Sequence, residues 1–198
     1  MIYTKEFAFI HIPKTSGMSI KKSIELNCPD AKYMPENTFS ETFEGFDVDW
    51  RRIMHCPYSY WEPLIKDKWV FSIVRNPFIR AVSFYVFLKT TYSFSDMCQD
   101  LTFEELYSTP IINNSTVTPT TTQTEYLTGN NNVIVPNIFK YENGYTDIEQ
   151  VLGFKIDQTE NITPVYNYLD YYDEKREKLI LNLFEEDFEN FSYNTNLG

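Results

Sequence analysis

Two short apolar runs, each followed by a polar loop and then by helical spacing, constrain the fold of this chain most strongly. The first run covers residues 7–12 (FAFIHI) and the second covers residues 69–74 (WVFSIV). Continuous apolar runs of this length are typical of strands buried on both faces. Apolar residues then recur at helical spacing over residues 18–26 and 79–88. This order predicts an α/β protein with a central, mainly parallel sheet flanked by helices.

The remaining segments fit the same class. A third strand is expected at residues 137–141 (NIFKY), and apolar residues at helical spacing predict one long amphipathic helix from Tyr172 onward. Residues 28–50 and 108–132 have loop composition, and the second of these is interpreted either as a mobile loop or as a functional lid. With no change of composition along 198 residues, we expect a single domain over residues 1–198.

Charge and cysteine content narrow the choice of partners and compartment. A formal net charge of -11 argues against nucleic acid, because proteins that bind phosphate backbones usually present a basic surface. The chain has no apolar run that would span a bilayer and no secretory leader, so no membrane association is expected. Three cysteines without CxxC spacing favour a reducing compartment, and we expect a cytoplasmic protein.

The loop after the first strand has the composition of an anion site. In PKTSGMS, Gly17 would admit an oxyanion close to the backbone, Lys14 would supply charge, and Thr15, Ser16 and Ser19 would supply hydroxyl groups. The start of a helix adds free N–H groups and partial positive charge. The alternative is an ordinary polar connection between strand and helix. The G-x-x-x-x-G-K-[ST] pattern of nucleotide triphosphate loops is absent.

A second anion site is predicted where the second strand ends, in the segment VRNPFIRAVSFY. Arg75 lies at the end of the strand, and Arg80, Ser83 and Tyr85 follow on the next helix. Because ligands of such sheets bind beyond the carboxyl ends of the strands, both sites would face one crevice. A single ligand with phosphates at both ends would occupy both.

These two segments resemble the paired cofactor motifs of the sulfotransferases, in particular the carbohydrate branch that includes heparan sulfate 2-O-sulfotransferase. The motifs are HIPKTSGMS at residues 11–19 and VRNPFIRAVSFY at residues 74–85. Weaker similarity covers residues 55–60, 122–129, 137–153 and 183–193. The resemblance implies a P-loop-like sulfotransferase fold and the donor 3′-phosphoadenosine 5′-phosphosulfate (PAPS), with a hydroxyl acceptor that we expect to be a sugar or glycan.

The resemblance also assigns roles to individual residues. In this family the first loop cradles the 5′-phosphosulfate, which here corresponds to Lys14, Thr15, Ser16, Gly17, Met18 and Ser19. The family lysine, Lys14 here, contacts the leaving oxygen, while Arg75 and Ser83 would bind the 3′-phosphate with assistance from Arg80. Many relatives carry glycine at the position of Ser16, and serine fits there without strain if its φ is negative.

The acceptor hydroxyl also requires a base. His55, in MHCPYSYW, resembles the position from which related carbohydrate sulfotransferases supply a catalytic histidine, with a structural histidine as the alternative. For His11 a structural role is favoured, and Glu41 or Glu44 would be the base if neither histidine serves. No metal site is predicted, because the histidines and cysteines lack ligand spacing.

Two other functions remain open at this stage. One is a phosphotransferase with a variant phosphate loop, which would leave the second motif unexplained. The other is a nucleotide-binding module of the same fold without transfer activity. Because the chain is acidic, a neutral or lightly charged acceptor is favoured over a highly sulfated polysaccharide.

Overall fold

The protein is described by a computed structural model that covers residues 1–33, 55–65, 67–90, 100–108, 119–157 and 167–197. Its strands are β1 (Ile2–Tyr3), β2 (Phe7–Ile10), β3 (Lys32–Tyr33), β4 (Trp69–Val74) and β5 (Asn137–Lys140). The helices within these ranges are α1 (Gly17–Asn27), α2 (Tyr58–Ile65), α3 (Pro77–Thr90), α4 (Phe103–Ser108), α5 (Gln123–Leu127), α6 (Thr146–Leu152), α7 (Glu174–Leu183) and α8 (Glu185–Asn190). Single 3₁₀ turns lie at Tyr141–Asn143 and Tyr168–Tyr171.

The sheet is mixed, in the order β3-β1-β2-β4-β5. β4 pairs in parallel with both β2 and β5, whereas β1 pairs in antiparallel fashion with β2 and β3. The α/β class is confirmed, but "mainly parallel" describes only the three longest strands. A short turn joins β1 to β2, and in it the Thr4 amide donates to the Phe7 carbonyl at 2.8 Å. A connection of this length is too short for a parallel crossover, so the two strands pair in antiparallel fashion.

The two apolar runs are buried because helices cover both faces of the sheet. Phe9 lies opposite Phe71 across the β2–β4 pair, with ring centroids 5.1 Å apart. Successive side chains along each strand point to opposite faces of the sheet, so they belong to two separate hydrophobic clusters. One face packs against α1 and α6 through Phe7, Phe9, Ile20, Ile24, Phe71, Ile73 and Ile148. The other packs against α2 and α5 through Ala8, Ile10, Trp61, Val70, Tyr126 and Leu127.

The C-terminal segment differs from the long helix expected there. Helix α7 ends at Leu183 and α8 begins at Glu185, because Phe184, with φ −116° and ψ 26°, leaves the helical region. The break accompanies the burial of Asp187, which is 0% exposed and points toward α5. The expectation of one continuous helix was therefore wrong.

The two segments expected to be loops are described only in part. Strand β3 lies within residues 28–50, and residues 34–50 lie outside the described ranges. Within residues 108–132, helix α5 begins with a capping box in which Thr122 and Glu125 bond each other's backbone amides, so this part was wrongly expected to be a loop. Residues 109–118, a part of the segment considered as a lid, lie outside the described ranges. Among the described helices none is both long and apolar enough to cross a membrane.

Candidate functional site

The two predicted anion loops lie at the same edge of the sheet. The loop from β2 to α1, residues 11–16, which we call the first loop, follows one parallel strand, and Arg75 directly follows its neighbour β4. The two are in contact, since Nη1 of Arg75 donates to the carbonyl oxygen of Lys14 at 3.3 Å. The structure thus brings together Lys14 and Arg75, which lie 61 positions apart in sequence.

The backbone of the first loop has two left-handed residues, neither of them glycine. Lys14 has φ 68° and Ser16 has φ 71°. The condition under which serine would fit without strain, a negative φ, is therefore not met at Ser16. Such residues cost about 1–2 kcal/mol each and persist only where the surroundings hold them. Thr15, which is 0% exposed, braces the loop by donating its hydroxyl to the Ile12 carbonyl at 3.0 Å.

The start of α1 is left open toward this loop. Ser16 is the N-cap residue, yet its hydroxyl makes no cap bond and instead pairs with the hydroxyl of Tyr145. Among the described residues, the amides of Gly17 and Met18 have no acceptor, and the first turn of α1 contains no acidic side chain. Met18 is half-buried and Ser19 is buried. Free amides without nearby carboxylates at a helix start are suited to an anion.

Gly17 is required by the neighbouring histidine. A Cβ atom at Gly17 would lie 1.8 Å from Cδ2 of His11, so the imidazole packs directly against the glycine backbone. His11 is buried, and its burial, followed by the effect of His55, holds its pKa well below the usual value. Its ring meets that of His55 edge to face, with centroids 4.4 Å apart. Both histidines of the chain are therefore at the first loop: His11 is its first residue, and His55 contacts His11.

His55 is held in one tautomer. Its Nδ1 lies 3.0 Å from the carbonyl oxygen of His11, and since a carbonyl only accepts, Nδ1 carries the proton. The lone pair is then on Nε2. Burial lowers the pKa of His55 to about 4, so the ring is neutral at physiological pH. Glu41 and Glu44, the alternative bases, lie outside the described residues.

Lys14 carries a charge in a poorly solvated position. Its Nζ lies 4.2 Å from the centroid of the Phe87 ring, a cation–π contact. Burial, and then the charge of Arg75, lower the pKa of Lys14 to about 8. The ammonium is thus poorly solvated and next to a like charge, and an anion placed there would relieve both costs.

Arg75 is braced on several sides. Its amide donates to Oε1 of Gln123 at 2.8 Å, and its carbonyl accepts from Nε2 of Gln123 at 2.9 Å. The guanidinium carbon lies 4.5 Å from the centroid of the Tyr141 ring. Nε of Arg75 is nevertheless buried without a hydrogen-bond partner among the described residues.

Arg80 is committed to backbone carbonyls. It is 2% exposed, and it donates from Nε to Pro13 at 3.2 Å and from Nη1 and Nη2 to Thr121 at 3.1 and 3.2 Å. It therefore ties α3 to the first loop and to the start of α5. Arg80 therefore holds the first loop through its bond to the Pro13 carbonyl.

Ser83 lies on the helix face that fronts the first loop. On α3 it stands between Arg80, which bonds Pro13, and Phe87, which contacts Lys14, at spacings of three and four residues. Ser83 is 1% exposed, and its Oγ has no hydrogen-bond partner among the described residues. A buried hydroxyl without a partner costs about 1–3 kcal/mol, which a ligand would recover.

The site carries concentrated positive charge in an acidic protein. Within the described ranges, Lys14, Arg75 and Arg80 have no carboxylate within 4.0 Å. Buried cations are normally paired with a carboxylate, and the part of the chain that the structure describes supplies none to these three. The chain as a whole has a formal net charge of -11, so this cluster departs from the rest of the molecule.

Several contacts in the site were not predicted from the sequence. Arg75 contacts both Tyr141 and Gln123. The hydroxyl of Ser16 pairs with that of Tyr145. With 15 tyrosines and 16 phenylalanines in the chain, no pattern distinguishes the two aromatic residues. Gln123 lies in TQTEYLTG, one of the segments with weaker similarity to the sulfotransferases. That similarity is the one sequence feature that marks this residue.

Comparison with protein-family models gives no match, and comparisons with curated proteins and with solved structures give none either.

Proposed function

We propose that this protein is a PAPS-dependent sulfotransferase with a P-loop-like sulfotransferase fold, which transfers a sulfuryl group to a hydroxyl of a sugar or glycan. The observation that carries the proposal concerns the two residues predicted to bind the 3′-phosphate. Arg75 Nε and Ser83 Oγ are both buried donors without a partner among the described residues. Buried polar groups are nearly always satisfied, so two such donors at predicted ligand positions support a bound oxyanion.

The first loop supports the other end of the donor. Free amides of Gly17 and Met18, together with Lys14, present donors and charge to a 5′-phosphosulfate. Arg75 contacts the Lys14 carbonyl, so the two anion sites are adjacent, as one ligand with separated phosphates requires. These residues fit the donor that the motifs imply.

The residues divide the chemistry among them. The donor supplies an activated sulfuryl group: the bond from sulfur to the bridging oxygen breaks, a bond to the acceptor oxygen forms, and the phosphate leaves with the electron pair. Lys14 neutralises the charge that develops on the bridging oxygen, a role for positioned charge in loose transition states. His55 accepts the acceptor's proton at Nε2, because Nδ1–H is held by His11.

The pKa of His55 fits this role once the donor's charge is considered. A pKa of about 4 makes a weak base. Nearby negative charge favours the imidazolium, so a bound polyanion would raise this pKa toward neutrality. His55 would then become an effective base only in the donor complex.

The proposal is tested by calorimetric titration with 3′-phosphoadenosine 5′-phosphate (PAP), with AMP and ATP as comparison ligands. Wild-type protein should prefer PAP, and Arg75→Ala and Ser83→Ala should lose that preference by about 10- to 150-fold, the value of one charge-assisted hydrogen bond. Lys155→Ala is the matched control, because Lys155 is exposed and, among the residues that the structure describes, its side chain bonds Glu149 alone.

The outcomes separate the candidate functions. Equal affinity for PAP and AMP, or a preference for ATP with magnesium, would refute the proposal. Tight PAP binding without sulfuryl transfer to any acceptor in a glycan screen would instead favour the binding module. A neutral or lightly charged acceptor is expected to give the highest rate.

A further inference from the structure

The buried pair Gln123 and Asp187 has no part in the proposed chemistry, yet it is joined to Arg75. Both residues are 0% exposed. Asp187, on α8, accepts from the amides of Gln123 and Thr124, each at 2.8 Å, and from the Thr124 hydroxyl at 2.9 Å. It also accepts from Nε2 of Gln123 at 3.3 Å. A carboxylate at 0% exposure with four donors is fully satisfied and fixes the start of α5.

Gln123 passes this fixation on to Arg75. Its side-chain amide bonds both backbone groups of Arg75, accepting from the N–H and donating to the carbonyl. The amide orientation is determined by its partners: Arg75 N–H only donates, whereas the Arg75 carbonyl and the Asp187 carboxylate only accept. A reversed amide would set donor against donor at the Arg75 N–H, and acceptor against acceptor at the Arg75 carbonyl and at Asp187. The peptide of Arg75 is therefore held at two points by one side chain.

We infer that Gln123 is a positioning residue for Arg75, and that Asp187 holds Gln123 in the orientation this requires. The inference rests on the proposed function, since it gives Arg75 the task of binding the 3′-phosphate. Arg75 follows directly after β4, where the sheet no longer constrains the backbone. Because Gln123 fixes the backbone of Arg75, less conformational entropy is lost when the guanidinium binds a phosphate.

The chain offers a matched pair of variants. Gln123→Met keeps the length of the side chain and removes both bonds to Arg75. Thr124→Val keeps the shape and removes the hydroxyl's bonds to the same Asp187 and to Asn190, without touching Arg75. Both changes fall on neighbouring buried residues, so both should lower the melting temperature. Only Gln123→Met should change recognition of the 3′-phosphate.

The experiment is calorimetric titration of wild type and both variants with PAP and with AMP, well below their melting temperatures. We expect the ratio of PAP to AMP affinity to fall roughly five- to tenfold in Gln123→Met, the value of about one hydrogen bond. The ratio should stay at the wild-type value in Thr124→Val. If Gln123→Met does not fold, Gln123→Glu replaces it: burial beside Asp187 favours the protonated carboxyl, which still accepts from the Arg75 amide, donates through its one O–H, and should give an intermediate ratio.

The results distinguish this inference from the function on which it depends. Wild type that prefers PAP, together with a Gln123 variant that keeps the full preference, would overturn the positioning role alone. A fall of the ratio in Thr124→Val as large as in Gln123→Met would also overturn it, because general loosening would then account for both. Wild type with no preference for PAP would overturn the proposed function and this inference together.

Discussion

The two loops that meet at the edge of the sheet are held in opposite ways. After β4, Arg75 has its backbone bonded at both ends by Gln123 and its guanidinium carbon 4.5 Å from the ring of Tyr141. After β2, the ammonium of Lys14 has one ring contact, and the loop beneath it contains two left-handed residues. A phosphate that only needs recognition is suited to the rigid site. Under the proposed function, the ammonium of Lys14, which burial and the charge of Arg75 leave poorly solvated, would meet the charge that forms on the breaking bond.

Removing the charge of Lys14 should have the largest effect. We expect Lys14→Met to lower the rate of sulfuryl transfer about 100- to 1,000-fold, the usual loss when a group that stabilises transition-state charge is removed. Affinity for PAP should fall less than about tenfold, because Arg75 and Ser83 remain. Transfer is measured as PAP release from PAPS, with Lys155→Ala as the control. Equal losses in rate and affinity would show that the two loops do not differ in this way.

Filling the space beside His11 should break the first loop. Gly17→Ala places a Cβ atom 1.8 Å from the His11 ring, and we expect it to lower the free energy of unfolding by about 3 kcal/mol. Gly153→Ala, at φ 78° with nothing within 4 Å, should cost only about 1 kcal/mol from backbone strain. Urea denaturation measures both. In a His11→Ala background Gly17→Ala should be tolerated, and a persistent loss there would contradict the steric explanation.

The two loops should also differ in their response to pH. Burial lowers the pKa of His55 from 6.5 to about 4 in the folded protein, so below pH 6.5 the unfolded chain binds the proton first. Stability from this group is complete above pH 6.5 and declines as the pH falls toward 4, by up to about 3 kcal/mol. The loop that follows β4 contains no histidine to add a second dependence of this kind.

The comparison variant for this pH dependence is His55→Asn, whose side-chain amide can still donate to the His11 carbonyl but does not titrate. Thermal denaturation between pH 4.5 and 7.5 should show a shallower decline in this variant than in wild type. Parallel curves for the two proteins would refute the assignment to His55.

Backbone strain at Ser16 gives a smaller effect of opposite sign. Glycine at this left-handed position should stabilise the loop by about 1 kcal/mol, while loss of the bond to Tyr145 would offset a similar amount. We therefore expect Ser16→Gly to be close to neutral in wild type and stabilising by about 1 kcal/mol in a Tyr145→Phe background. Urea denaturation of the four proteins in this cycle measures the difference. No gain in the second background would mean that the loop is not strained.

The sequence predicts the strands of this fold better than it predicts its breaks. The runs at residues 7–12 and 69–74 are apolar on both faces, which few structures other than buried strands accommodate. The spacing of apolar residues is continuous across Phe184, so nothing local indicates the break between α7 and α8. That break accompanies the bonds of Asp187 to Gln123 and Thr124, more than 60 positions away. Contacts at such separation are invisible to periodicity.

The same division applies to the site. Lys14 and Arg75 were identified because charged side chains follow apolar strands. Ser83, on the next helix, was identified because its segment resembles a cofactor motif. Gln123 could not be identified, since its role depends on which backbone groups it meets in the fold. The left-handed φ of Ser16 runs against residue preference and is set by its surroundings.

The isolated cluster of cations within an acidic molecule has a consequence for the kinetics of ligand capture. Outside the site, an approaching polyanion senses mainly the net charge of -11 and is repelled, over a range set by the Debye length, about 30 Å at 0.01 M and about 8 Å at 0.15 M ionic strength. Added salt screens this repulsion before it weakens the contacts inside the site.

We therefore expect the association rate of PAP, followed by stopped-flow fluorescence, to rise between about 10 and 150 mM salt. Ligands attracted by a basic surface show the reverse. A fall in that rate would mean that the field of the cluster extends beyond the site. With a rise, the protein would capture its donor fastest in the ionic strength range of a cell, and more slowly in dilute buffer.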